Sequence, residues 1–123
     1  MAAIIQTIDG VVANRFELDE NPLTFGRTSD NVVQIDHLEV SSAHARVTRM
    51  VGKDGTVAYV LEDLDSTNGS FVNGKKVIKT ALRHKDVIRI GLNVFTYIDE
   101  ARIDIERTTE IKKSWIPGVY YSK

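Results

Sequence analysis

Two-residue alternation, interrupted by glycine-bearing turn dipeptides, constrains the fold of this chain more than any other feature. In TVAYVLED, Val57, Tyr59 and Leu61 fall on one face; Ile88 and Ile90 do so in DVIRIG, and Phe95 and Tyr97 in NVFTYID. No stretch before residue 99 keeps a helical apolar stripe for three turns. Asp9-Gly10, Asp54-Gly55 and Asn73-Gly74 lie between the runs, and each reads as a two-residue hairpin, because a type I′ turn needs positive φ at both central positions. The pattern predicts strands at 2–8, 11–18, 22–26, 32–35, 45–51, 56–63, 70–72, 76–78, 87–90 and 93–98. Many short strands with frequent turn signals specify an all-β sandwich or barrel.

A second Asn-Gly pair, Asn68-Gly69, does not fit that scheme. It follows the polar run Asp65-Ser66-Thr67 and leaves only Ser70 to Val72 as strand before the chain reverses at Asn73-Gly74. It therefore calls for a role other than a hairpin.

With 123 residues the chain is long enough for one domain with a real core. Its net charge is −1, so it lacks the global basic field of a non-specific nucleic-acid binder, and any charge-based function must be local. Cysteine is absent, which excludes disulfides and thiolate metal sites and is compatible with a reducing cytoplasm. The opening MAAIIQTIDG has no basic leader region, and no segment approaches the ~20 apolar residues of a membrane-spanning helix. The expectation is a soluble, cytoplasmic domain with no membrane or nucleic-acid partner. Residues 1–99 are expected to form the sandwich and 100–123 a charged C-terminal tail, broken at Pro117-Gly118 and able to pack through Trp115.

Catalytic and metal constellations are weak. His37, His44 and His84 lack metal-ligand spacing, Ser41 and Ser42 stand in no G-x-S-x-G elbow, and GRTSDN is not a P-loop. No enzyme, cofactor or metal is expected. More informative are short polar residues at strand ends: Arg27 in FGRTSDN, Ser41 and Ser42 in VSSAH, Thr67 and Asn68 in STNG. Loops of a sandwich gather at its two ends, so segments distant in sequence converge. One arginine fork, several hydroxyls and exposed backbone N–H groups would suit a single dianionic group.

Gly26-Arg27, Ser41-x-x-His44 and Asn68-Gly69 followed by Phe71-Val72-Asn73-Gly74 resemble, in order and spacing, the forkhead-associated (FHA) domain family over about residues 23–98. The resemblance implies an FHA-type β-sandwich of about eleven short, mainly antiparallel strands that binds phosphothreonine peptides through loops at one end. It makes Arg27 and Ser41 phosphate ligands, Ser42 and Thr67 further contacts, and Asn68 a ligand of the peptide backbone. Gly26, His44 and Gly69 become structural supports of the site. Asn68-Gly69 then shapes a binding loop, whereas Asn73-Gly74 turns a hairpin.

The implied function is non-catalytic docking of a phosphothreonine-containing protein, such as a Ser/Thr kinase or its substrate. A kinase can switch this affinity, since phosphorylation adds nearly two charges and three acceptor oxygens. A pocket for the γ-methyl would favour threonine over serine by about 0.8 kcal/mol or more. The segment KTALRHK, residues 79–85, reads as a basic loop from which Arg83 and Lys85 are candidates for reading residues beyond the phosphothreonine. Thr108 and Thr109 in the tail are candidate phosphorylation sites through which the chain would self-associate. The alternative is a phosphate-independent scaffold that assembles partners through another surface of the same fold.

Overall fold

The structure, a computed structural model, describes residues 2–100. The expected tail after residue 100, with Trp115, Thr108 and Thr109, lies outside the described residues. Eleven strands run in chain order: β1 (Ala2–Ile8), β2 (Val11–Leu18), β3 (Leu23–Gly26), β4 (Val33–Gln34), β5 (Ala45–Val51), β6 (Val57–Asp63), β7 (Ser70–Val72), β8 (Lys75–Val77), β9 (Lys79–Ala81), β10 (Val87–Ile90) and β11 (Asn93–Asp99). A six-stranded sheet has the order β2-β1-β11-β10-β7-β8, and a five-stranded sheet β4-β3-β5-β6-β9. All pairings are antiparallel except β3 with β4.

The alternating residues fill the space between the sheets. Ile4, Phe25, Leu61, Ile88, Ile90 and Phe95 are all fully buried. Phe25 of the smaller sheet meets Phe95 of the larger edge to face at 5.2 Å, an arrangement worth about 1 kcal/mol beyond area burial. Along β6 the burial fades from Leu61 through Tyr59 to exposed Val57, because that strand runs past the core toward its hairpin.

Two of the three expected two-residue hairpins are present. Asp9-Gly10 and Asn73-Gly74 both have positive φ at each residue, 54° and 79°, then 50° and 84°. Asp54-Gly55 differs: Gly52 N–H reaches Thr56 O at 2.7 Å and Gly55 N–H reaches Gly52 O at 3.0 Å. Lys53, Asp54 and Gly55 thus form a three-residue connection, a turn closed by Gly55 at φ 86°.

One strand corrects the expected loop at 79–85. Lys79–Ala81 is β9, which pairs with β6 from Val60↔Ala81 to Glu62↔Lys79. Lys-Thr-Ala has no apolar alternation to announce it; the strand exists because the edge of β6 offers backbone partners.

The strand registers also define two ends. Ser70 opposite Ile90, and Ala45 opposite Asp63, mark one end, the apex. Ala2 opposite Asp99 and Val51 opposite Val57 mark the other, the base.

Candidate functional site

Three connections meet at the apex: residues 27–32 after β3, 35–44 between β4 and β5, and 64–69 between β6 and β7. Arg27 leaves β3 with its N–H donating to Ser41 O at 3.0 Å, which joins the first loop to the second. Its Nη2 donates to Ser42 Oγ at 3.3 Å. Ser41 Oγ accepts the Thr67 N–H at 3.0 Å, and Asn68 Nδ2 donates to Glu39 O at 2.8 Å, which joins the second loop to the third. Arg27, Ser41, Ser42, Thr67 and Asn68 are therefore brought together.

His44 braces this assembly from below. It is fully buried; its Nδ1 accepts the Ser41 N–H at 3.0 Å and its Nε2 lies 2.9 Å from Gly69 O. Since an N–H can only donate, the imidazole proton sits on Nε2 and is given to the Gly69 carbonyl. One side chain thus sets the height of both the Ser41 loop and the Asn68-Gly69 loop. Backbone bonds from His44 N–H to Phe25 O and from Leu64 N–H to His44 O, at 2.9 and 2.8 Å, fasten the histidine itself.

The two glycines serve different needs. At Gly26 the need is space: a Cβ there would stand 2.1 Å from Ser42 O and 2.4 Å from Asn31 Nδ2. Gly69 has φ +88°, and a Cβ would also stand 2.7 Å from Lys76 Cε. Among the described residues Asn68 has no positive φ, so its place is not explained by tolerance of the left-handed region; Gly69 carries that demand.

Sequence reasoning missed several residues that hold the loops. Asn31 Nδ2 donates to Ser42 O at 2.7 Å and also reaches Thr28 O, while Thr28 Oγ1 donates to Ser42 O at 3.2 Å. Asp63, at the end of β6, accepts Ser66 Oγ at 2.6 Å and Ser70 Oγ at 2.7 Å on Oδ1, and Ser66 N–H at 3.0 Å on Oδ2. Ser66 Oγ in turn accepts Gly69 N–H at 2.9 Å. Burial opposes ionisation of Asp63, but the hydrogen bonds from Ser66 and Ser70 outweigh it, and the carboxyl is held below its ordinary value. The only available signal was the composition of DLDSTNGS, rich in residues that bond their own turns.

What remains open at the apex is a set of donors. Arg15 and Arg46 are each paired with a carboxylate, whereas Arg27 has no ion pair among the described residues. The Ser42 and Asn68 N–H groups and the Thr67 hydroxyl likewise have no partner among the described residues. A cationic fork beside hydroxyls and free amides binds an anion with several oxygens, and the loop bonds pre-organise it.

Arg83 and Lys85 are not part of this site. Arg83 N–H donates to Asp86 Oδ2 and Lys85 N–H to Tyr97 O, so both lie in the turn before β10, at the base. The four residues of β10 separate that turn from the apex by about 13 Å. The structure thus does not bring Arg83 and Lys85 together with Arg27, and the basic spacing in KTALRHK does not reveal which end of the sandwich it occupies.

A two-sheet sandwich whose end loops converge on an arginine, two serines, a threonine and an asparagine defines a class of anion-reading β-sandwich modules. The family model for the FHA domain matches residues 23–91, and the chain belongs to the FHA domain family. It is 37% identical over 62 residues to a probable serine/threonine-protein kinase, fhkE, of Dictyostelium discoideum; the match covers 50% of this chain and 9% of that kinase. Among solved structures it superposes with TM-score 0.67 and 26% identity on an FHA domain studied for phosphothreonine-dependent interactions, covering 80% of this chain and 95% of that one. It also resembles Mycobacterium tuberculosis EmbR in complex with a low-affinity phosphopeptide, with TM-score 0.66 and 28% identity over 79% of this chain and 24% of EmbR. The FHA domain is a non-catalytic interaction module.

Proposed function

We propose that this chain docks phosphothreonine-containing partners, so that a Ser/Thr kinase controls when they bind. The observation that carries the reading is Arg27: a half-buried guanidinium with no carboxylate partner among the described residues, bonded to Ser42 Oγ at 3.3 Å beside Ser41 and Thr67. In this reading the phosphate sits over Arg27, Ser41 and Ser42, and Thr67 adds a hydroxyl. Asn68, with Nδ2 committed to Glu39 O, offers Oδ1 to a backbone N–H of the peptide. The likeness to an FHA domain of phosphothreonine-dependent interactions and to a phosphopeptide-bound protein supports it. The kinase relative supports a kinase pathway as the setting; the cytoplasm as its compartment is part of the proposal alone. Since the match spans a small part of that relative, any activity of a larger protein carrying this domain lies outside the reading.

The test is binding to an oriented phosphothreonine peptide library, with phosphoserine and unmodified versions alongside and Arg27→Ala as control. Capture selective for phosphothreonine and reduced at least about 30-fold in the variant is expected, since a charge-assisted bidentate contact contributes roughly 2 kcal/mol or more. Equal capture of phosphorylated and unmodified peptides, or capture unaffected by Arg27→Ala, would replace this reading with the phosphate-independent scaffold.

A further inference from the structure

The outer face of the six-stranded sheet is apolar at its centre, where a solvated sheet would be polar. In β1 Ala2 and Ile4 belong to the core, and in β11 Phe95 and Tyr97 do, so Ala3, Ile5, Val94, Thr96 and Ile98 face away from it. Val87 does the same in β10, where Ile88 and Ile90 point inward. The registers Ala3↔Ile98, Ile5↔Thr96 and Val87↔Thr96 join these side chains into one patch across three neighbouring strands. Charge stands at its edges, as Arg15 and Glu17 on β2 and Arg89 on β10.

An antiparallel sheet with one face on the core ordinarily turns polar residues outward. The five-stranded sheet does so: Arg46 and Glu62, opposite each other on its outer face, form an ion pair at 3.0 Å. An apolar centre inside a charged rim is instead the make-up of a covered surface. Ala3 is fully buried although it takes no part in the core cluster. Among the described residues the two sheets are the only layers, so the cover lies elsewhere.

Position and composition name the occupant. β11 runs through the middle of the patch and ends at Asp99, and the next residue, Glu100, places its Oε2 3.2 Å from Arg15 Nη2. Since β1 lies between β11 and β2, this ion pair reaches over the outer face across about 10 Å. Residues 101–123 hold Ile103, Ile105, Ile111, Trp115 and Ile116 among charges, more apolar surface than so short a segment buries by itself. The seven residues of β11 span about 23 Å. The fifteen residues from Ala101 to Trp115 cover about 22 Å even at the rise of a helix, so Trp115 can reach any point of the patch.

We propose that the outer face of the six-stranded sheet is the docking site of this chain's own segment 101–123, with Trp115 as its anchor over Ile5 and Thr96. A single large aromatic commonly carries such a contact. The tether at Asp99 keeps the segment at an effective concentration on the order of millimolar, which favours it over a second copy of the chain. This docking adds a third layer to the sandwich and does not depend on what the apex binds.

Trp115 is the only tryptophan of the chain, so its fluorescence reads the contact directly. The experiment measures its emission and its quenching by acrylamide in the full chain over a dilution series, with the same chain unfolded in urea as reference. The expected result is a blue-shifted emission and a quenching constant at least about threefold below that reference, as for a ring buried on one face, unchanged by dilution. Ile5→Asp and Thr96→Asp should each lose this protection while still unfolding cooperatively in urea. Met50→Asp, an exposed position on the other sheet, should keep it. If Ile5→Asp does not fold, Thr96→Asp decides. Native Trp115 as accessible as in the unfolded chain would overturn the inference, and so would protection that survives in a folded Thr96→Asp or is lost equally in Met50→Asp. Protection that disappears on dilution, as a dimer mass gives way to a monomer mass, would overturn it in favour of a second copy.

Discussion

A single imidazole carries much of the apex. His44 receives the Ser41 N–H and gives its own proton to Gly69 O, in a position with no solvent exposure. Removing it leaves a buried donor and a buried acceptor unsatisfied and opens a cavity beneath two ligand loops. His44→Ala is expected to lose about 3 kcal/mol in urea denaturation and to weaken phosphothreonine peptide binding at least about tenfold. A variant with unaltered peptide affinity would mean that the loops hold their heights without it. The residues that meet at the apex were legible in the sequence, since Arg27, Ser41, Ser42, Thr67 and Asn68 stand in short motifs of recognisable spacing. Asn31 and Asp63 were not, because each acts by bonding groups 7 to 11 residues away whose proximity only the folded loops create.

Strands announce themselves when one face is apolar. Residues 45–51, 70–72 and 87–90 have the bounds expected from alternation, whereas β9 escaped because Lys79-Thr80-Ala81 buries no apolar face. β4 is shorter than expected, because only Phe25↔Val33 and Gly26↔Gln34 pair before the chain turns toward the apex. The hairpin between β7 and β8 was legible, but its anchoring was not. Asn73 N–H donates to Val87 O at 2.8 Å, its Oδ1 accepts Val87 N–H at 2.9 Å, and its Nδ2 donates to Asp86 at 2.9 Å. Asn73→Ala would lose the side-chain bonds and place a less tolerant residue at φ 50°. The expected cost is about 2 kcal/mol by urea denaturation, with peptide affinity unchanged, because this hairpin tip lies at the base. A matching loss of affinity would show that the two ends are energetically coupled.

Across the whole molecule, Asp63 is a stitch between the sheets: it ends β6 in one and accepts Ser70 Oγ from β7 in the other. Its folded-state pKa lies below the ordinary 3.8, so its contribution to stability is complete above 3.8 and is lost as pH falls through the folded value. Asp63→Asn should be less stable than the unaltered protein by about 1–2 kcal/mol at pH 7, through loss of charge-assisted bonds. The difference should narrow as pH falls through and below 3.8. A difference constant from pH 7 to about 2.5 would show that the carboxylate's charge does not matter to the stitch.

The pairing of Ala2 with Asp99 has one more consequence. The backbone enters and leaves the sandwich on neighbouring strands at the base, while the ligand loops crown the other end. Whatever polypeptide is spliced on at either side meets the module at a shared socket, facing away from the apex where Arg27, Ser41 and Asn68 meet. Such a layout lets one reader be fitted into many architectures without redesign of its grip.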